Sequence, residues 1–346
     1  MVANSERMVL AVVTGFEVYH MALLRGMREI LSARNIPLLG FANYAHCRGD
    51  TAVDGGDTVP SSLAQILTHY RPQGVILTNS LSEAQSHALS RLLSSLEIPT
   101  VYLAQEVPDQ VCVRADNIQG MRDLMAHLLD ECGVRAPAMV RGQAHQVDHV
   151  VREAVFREEI ERRGLTIHED LFADGGGERE VTRNGLRVML DRRRDMDAVV
   201  TTDDWCAAVA IEVLSEAGLR VPDDVLVTGF DDYPIATLRW PGITTVDQDL
   251  EGQGRLAARL LLESVSGTMV RTGTLAPCRL VVRGSTLRPT ILTTTTHTST
   301  GSARNAGAPS AARIAELAEF HITDHNAIFP PRRSRSGALS GQGAGT

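Results

Sequence analysis

The 346-residue sequence contains no lysine, and all 34 of its basic side chains are arginine. We read this as codon bias in a GC-rich genome rather than as chemistry. Cysteine is also sparse. Cys47, Cys112, Cys132, Cys206 and Cys278 make an odd number with no C-x-x-C spacing, which suggests neither a disulfide framework nor a zinc site and fits a reducing cytoplasm. No apolar run approaches the ~20 residues of a membrane span. The opening stretch MVANSERMVLAVVTGFEVYH lacks the apolar core and small-residue cleavage site of a signal peptide, which weighs against a secreted transport receptor. Positive charge is not in excess either. With 42 acidic residues against 34 basic ones the formal net charge is -8, whereas a general nucleic-acid-binding surface needs a concentrated basic patch.

What is present is an ordinary globular composition, 43% hydrophobic and 22% charged, long enough for two domains or one bilobed body at roughly 100–200 residues per domain. An apolar run at 8–13 ends in Thr14 and Gly15, and Leu23, Leu24, Met27, Ile30 and Leu31 then recur at helical spacing. Further strand signals fall at 36–41, 75–78, 100–103 and 111–114, with helices from 82 and from about 117 to 129. The alternation predicts a parallel, doubly wound lobe. It repeats with strands at 138–140, 198–201 and 225–228 and helices near 150–163, 179–190 and 204–217. A helix at 250–264 is expected to return to the first lobe, and 279–283 to cross to the second. The loop at 46–60 carries Gly49, Gly55, Gly56 and three Asp and reads as a solvated connection. After Pro289 the sequence turns to Thr-, Ser-, Gly- and Ala-rich stretches and PPRRSRSGALSGQGAGT, a tail expected to be disordered, with one amphipathic piece at 311–320.

Candidate site residues cluster where strands end. The strand at 225–228 leads into Gly229, Phe230, Asp231 and Asp232, and in open α/β sheets the carboxyl ends of strands are where ligands bind. Asp231 is therefore placed for a donor-rich ligand, against the plainer reading as a turn residue. Asp203 and Asp204 stand at a second strand-to-helix junction, where Asp is commonly only a cap. Phe16 and Trp205 are candidate walls, although a large aromatic is more often core. Paired carboxylates such as Asp203 and Asp231 can hydrolyse glycosides, a weaker reading. His145 with His149, and His321 with His325, have i, i+4 spacing but no third ligand, so no metal or cofactor is expected.

The segments LLRGMREIL at 23–31, Arg152 followed by Phe156, TTDDWCAAVAI at 201–211, EAGLRVPDDVLVTGFDDYP at 216–234, TTVDQDLEGQGRLAARLLL at 244–262 and LVVRGST at 280–286 occur in the order found in the LacI/GalR repressors. From about residue 8 to 289 the chain resembles their effector-binding core. The resemblance implies a periplasmic-binding-protein-like type I fold, with two parallel-sheet lobes joined by a multi-strand hinge. The first lobe is expected at about 8–130 and 248–276, the second at about 131–247 and 277–289, and the tail at 290–346. It implies a cytoplasmic, non-enzymatic regulator that closes on a small polar effector, a sugar, sugar derivative or nucleoside, and forms a homodimer. A sensor module for a separate output domain is the alternative, with a transport receptor behind it. By the same resemblance Tyr19, His20, Arg152, Asp203 and Asp231 contact the ligand, with Asp203 in the ligand role and Asp204 as cap, and Asp116, Gln146, Trp205 and Gln248 are further candidate contacts. Val155 departs from the glycine usual before the aromatic, and His20 from the commoner Phe. Seven residues precede Met8, and no operator-reading element is visible. Asp231→Ala and Arg152→Ala are expected to abolish binding and leave the fold intact.

Overall fold

A computed structural model describes residues 7–43, 58–78, 81, 83–144, 146–175, 179–238 and 240–288. The expected tail, His145, the His321/His325 pair and most of the Asp-bearing loop lie outside these residues.

The first sheet is built from β1 (Val9–Val13), β2 (Leu38–Ala42), β3 (Gly74–Leu77), β4 (Thr100–Leu103) and β5 (Val111–Ala115), with helices α1 (Val18–Ser32), α2 (Ser61–Tyr70) and α3 (Glu83–Ser95) as crossovers. A late strand, Gly273–Ala276, completes six parallel strands by pairing with β5. Every residue of β1 is buried because helices cover both faces of a parallel sheet. Alternate side chains serve the two sides. Val9 and Ala11 pack with Leu23, Met27 and Leu31 of α1, and Leu10 and Val12 with Leu63 and Leu67 of α2 and Leu89 and Leu93 of α3.

The second sheet carries β6 (Pro137–Arg141), β7 (Phe172–Asp174), β8 (Ala198–Thr201) and β9 (Leu226–Thr228) in the order β7-β6-β8-β9, again parallel. Its helices are α4 (Asn117–Ala126), α5 (Val147–Arg162), α6 (Arg179–Arg192), α7 (Asp204–Glu216) and the short α8 (Pro234–Leu238). Met139, Val200 and Leu226 face Phe156 and Ile160 of α5 together with Met121, Leu124 and Met125 of α4. The apolar stripe of α4 thus belongs to the second sheet, so the chain leaves the first lobe at Asp116 and not near residue 130 as expected. Val155, where a glycine was the expected pattern, is buried in this same core beside Phe156.

Two further crossings complete the hinge. β10 (Thr245–Asp247) leads into α9 (Leu250–Val265), which returns to the first sheet, and β11 (Gly273–Ala276) leads into β12 (Arg279–Val281). The three crossings lie side by side: Asp116 N donates to Ala276 O at 2.8 Å, and β10 pairs antiparallel with β12 through Val246 and Leu280. Beyond them a buried His127 joins a π-helical turn at the end of α4 to Thr286 at 2.9 Å, and Thr286 meets Thr244 at 2.7 Å. No helix among the described residues is long and apolar enough to cross a membrane.

Close packing of α9 on α1 depends on glycine. A Cβ at Gly26 would overlap the Glu251 carbonyl, and one at Gly254 the Leu23 carbonyl. Alanine is a better helix former than glycine by about 1 kcal/mol, but the obstacle here is backbone, which yields only if the two helices separate. Gly26→Ala is therefore expected to destabilise the protein by about 1–3 kcal/mol in chemical denaturation. An unchanged or higher midpoint would show that the helices separate at little cost.

Candidate functional site

Three parallel strands deliver the site. β8 runs out through Thr202 to Asp203, β9 through Gly229 and Phe230 to Asp231, and β5 through Asp116 to Asn117. Gly229 is required because a Cβ there would strike the Asp204 carboxylate. Asp231 has φ of 109°, a region that non-glycine residues enter at a cost of order 1–3 kcal/mol and that concentrates at functional sites. It is held there by its own N–H, which donates to Val246 O of β10 at 2.8 Å.

Arg152, in the second turn of α5, is only 2% exposed. Its Nε donates to Asn117 Oδ1 at 2.8 Å and its Nη1 to Thr202 O at 2.6 Å and Asp231 Oδ1 at 3.4 Å. Its Cζ stacks 3.7 Å from the centre of the Phe230 ring. Asn117 Nδ2 in turn donates to Asp148 Oδ1 at 2.9 Å, and Gln248 Nε2 donates to Asp231 Oδ1. Side chains from α4, α5, the β9 loop and the β10 crossing thus form one network. The expectation that Arg152 is a dispensable polar contact is corrected by this geometry: it is packed and bonded like a core residue.

The electrostatics follow from burial of several acids around one arginine. Burial pushes the Asp231 carboxyl up to about 7, with the charges of Asp203 and Asp148 adding and those of Arg152 and the Gln248 hydrogen bond opposing. Asp148 is raised by burial, against Arg152, Arg114 and the Asn117 bond. Asp204, fully buried, is pushed well up by burial and then by the charge of Asp231. The phenols of Tyr19 and Tyr233 are raised by burial and by acids of the same cluster, Asp148 and Asp231 for Tyr19 and Asp231 and Asp203 for Tyr233.

The structure brings together Tyr19, Arg152, Asp203, Asp231 and Gln248 of the expected set. The helix cap expected of Asp204 falls to Asp203. Asp203 is the N-cap of α7, accepting from Cys206 N at 2.7 Å through Oδ1. Asp204 is a clasp, accepting from Tyr233 N at 2.7 Å and Thr245 Oγ1 at 2.5 Å. Asp116 caps α4 by accepting from Gln119 N at 3.0 Å. His20 bonds Thr14 at 3.1 Å and Glu17, and stands edge to face with Tyr19. Gln146 precedes α5 and donates to Gln143 Oε1 at 2.6 Å, while Trp205, in the first turn of α7, is 47% exposed. Among the described residues, Asp116, His20 and Gln146 make no side-chain hydrogen bond to the Arg152 network. Sequence reasoning missed Asn117, Asp148 and Tyr233. Asp148 stands four residues before Arg152, on the same helical face, and that spacing could have flagged it.

Elsewhere, a hollow of about 680 Å³ between α6 and α7 is lined by Arg179, Arg183, Glu212 and Glu216. Its charges pair with one another, Arg179 with Glu212 and Arg183 with Glu216 at 2.5 Å each, so it is a solvated ion-pair ladder. Among the described residues no group of three or more His, Cys, Asp or Glu could hold a metal.

A periplasmic binding protein-like domain model matches residues 125–286. The chain is 34% identical over 213 residues to the HTH-type transcriptional regulator CelR of Thermobifida fusca, covering 60% of each. It is 29% identical over 227 residues to the ribose operon repressor of Halalkalibacterium halodurans, covering 64% of this chain and 65% of that one. It thus spans less than two thirds of the length of these curated relatives. Among solved structures it is similar to a complex of the transcriptional regulator CelR with cellobiose, at TM-score 0.66 and 29% identity over 81% of this chain and 84% of that one. A LacI-family regulatory protein from Chloroflexus aggregans, at TM-score 0.70 and 22% identity over 81% and 98% of the two chains, shows the shared fold.

Proposed function

We propose that this chain, which matches a periplasmic binding protein-like domain model over residues 125–286 and is similar to the regulator CelR, is a cytoplasmic regulatory protein of the LacI type that senses a small polar molecule, a sugar or sugar derivative, in the cleft between its two sheets. The observation that carries this reading is the network joining Arg152, Asp231 and Gln248. It links the carboxyl end of β9 to the crossing that leads back to the first sheet, so a ligand bonded to it acts on the hinge. The regulators it resembles are transcription factors, and CelR in the solved complex binds cellobiose; a saccharide effector here is our extension. A ligand can bias closure only by its differential affinity for the closed form, and Tyr19 from α1 with Arg152, Asp203 and Asp231 from the second lobe supplies that difference.

We further propose a homodimer. Leu238 and Trp240, 53% and 88% exposed, and Val282 and Leu287, 42% and 57% exposed, stand in two segments that meet where Gly284 abuts Pro241. Exposed apolar side chains of this kind are what a partner surface covers. A thermal-shift screen of sugars, polyols and nucleosides, followed by small-angle scattering of residues 1–289 with the best binder, tests both ideas. A ligand at about 100 times its Kd should stabilise the protein by about 2.7 kcal/mol, shrink the radius of gyration, and leave a particle of two chains. No stabilisation by any member of the panel would overturn the sensing role, and a monomeric mass would overturn the dimer.

A further inference from the structure

We propose that His127 is a proton-operated latch on the hinge, complete only when its imidazole carries both ring hydrogens. The latch sits in the second lobe, where segments from all three crossings meet. The short turn Gly284–Thr286 follows β12. Its Ser285 Oγ donates to Val227 O of β9 at 2.5 Å and accepts from Thr244 N, just ahead of β10, at 2.8 Å. His127 ties the end of α4 to the same turn through Thr286. π-helical turns are frequent at functional sites, and this one, His127–Glu131, sets Glu131 and Cys132 against the ring. The latch depends on the crossings alone and holds whatever the effector is.

The hydrogens available in the cluster set this requirement. His127 Nδ1 lies 2.7 Å from Oε2 of the exposed Glu131, and a carboxylate only accepts, so Nδ1 carries a hydrogen. Nε2 is 2.9 Å from Thr286 Oγ1, Thr286 Oγ1 is 2.7 Å from Thr244 Oγ1, and Thr244 Oγ1 is 3.0 Å from Arg283 O. Each of these three gaps needs one hydrogen. A neutral ring leaves only the two threonine hydroxyls to fill them, so one contact sets lone pair against lone pair. His127, Thr244 and Thr286 are buried, which keeps bulk water from supplying the missing hydrogen. A cationic ring completes the series: Nε2–H donates to Thr286, Thr286 to Thr244, and Thr244 to Arg283 O. Cys132 does not close the deficit. Burial and the charge of Glu131 push its thiol up, and its hydrogen serves the sulfur's own contacts, Nε2 at 3.5 Å or Thr286 O at 3.8 Å. The other charges around the ring are engaged elsewhere. Arg283 turns its guanidinium to Asp232 at 2.6 Å and Ile243 O at 2.9 Å. Arg288 reaches Pro222 O at 3.4 Å, Asp130 pairs with Arg163, and Arg135 donates to Leu129 O at 3.0 Å. β9, beneath the turn, has no ionisable side chain. Glu131 is therefore the counter-charge of the ring, and imidazole is the side chain whose charge ordinarily changes between about pH 5 and 8.

Hydrogen exchange of the full chain, corrected for its intrinsic pH dependence, tests the latch. In the wild type, exchange within 127–132 and 283–288 should rise about tenfold between roughly pH 5.5 and pH 8, the effect of losing one buried hydrogen bond. In His127→Gln, whose amide offers Thr286 a donor at every pH, those segments should stay equally protected across the range. In Glu131→Gln, an exposed position that still accepts from Nδ1, the wild-type transition should move to lower pH, because the counter-charge is gone. Should His127→Gln not fold, nitrogen-15 NMR of the wild-type histidine rings reads the same proton. The ring whose signals move in Glu131→Gln should carry both hydrogens at the acid end and only Nδ1–H at the alkaline end. The latch is refuted by exchange that is level with pH in the wild type, by a rise of equal size in His127→Gln, by an unmoved transition in Glu131→Gln, or by a neutral ring that keeps Nε2–H.

Discussion

Arg152→Ala is expected to lower the folding free energy by about 3–5 kcal/mol and to abolish effector binding, where the sequence alone suggested a loss of binding only. The magnitude is that of removing one partner from a buried ion pair. Here the loss also strands Asn117 Oδ1 and the Thr202 carbonyl and uncovers the Phe230 ring. Urea denaturation measures the cost. A second substitution separates structure from recognition: in Arg152→Met with Asp231→Asn neither ionised partner remains, so much of the stability should return, yet effector-induced stabilisation should stay absent. If Arg152→Ala unfolds within about 0.5 kcal/mol of the wild type, the range of ordinary surface substitutions, the network described here contributes nothing to the fold.

Most of the two sheets is legible in the sequence because fully buried parallel strands leave short apolar runs between turn residues. The strands at Thr100–Leu103 and Ala198–Thr201 fall where those runs are. The elements that escape notice carry weak signals. β7 (Phe172–Asp174) is three residues long and β11 (Gly273–Ala276) is an edge strand with only Ala276 buried, so neither needs an apolar run. The misplaced lobe boundary has a different cause. The spacing of Met121, Leu124, Met125 and Leu128 shows that α4 has a buried face, and nothing in that spacing says which sheet it covers; the answer comes from Phe156, Val200 and Leu226 on the other side of the contact.

The site is legible to the same degree and for related reasons. Asp231 can be found because strand ends in open α/β sheets are binding positions and because the GFDD motif resembles the LacI/GalR pattern. Asp203 and Asp204 cannot be sorted by sequence, since both are good cap types and the choice depends on which carboxyl meets Cys206 N and which meets Tyr233 N and Thr245. The burial of Arg152 runs against the default for arginine, which is exposure. It becomes intelligible only when four acceptors or faces from three other segments are seen to converge on one side chain. Asn117 shows the limit most plainly: at the start of a helix it reads as a cap, yet its side chain bridges Asp148 and Arg152.

The second large effect concerns pH. Without effector, the contribution of Asp231 to stability should be complete below its ordinary value of 3.8 and be lost as the pH rises through about 7. Between those values the folded protein holds a proton that the unfolded chain has released, so stability falls with rising pH. The interval sets a ceiling of roughly 4 kcal/mol at about 1.4 kcal/mol per pH unit. Asp148 and Asp204, also raised by burial, act in the same direction. Exposed acids such as Asp224 and Glu216, held low by Arg220 and Arg183, act oppositely, but surface pairs contribute little. Comparing the wild type with Asp231→Asn from pH 4 to pH 8 isolates the buried group together with its coupling to Asp204, because the titrations of distant groups are common to both. The wild type should lose stability relative to the variant by a few kcal/mol across that range, most steeply between about pH 5 and pH 6 and levelling off as the pH passes about 7. Parallel curves would mean that Asp231 is ionised throughout, with Arg152 outweighing burial.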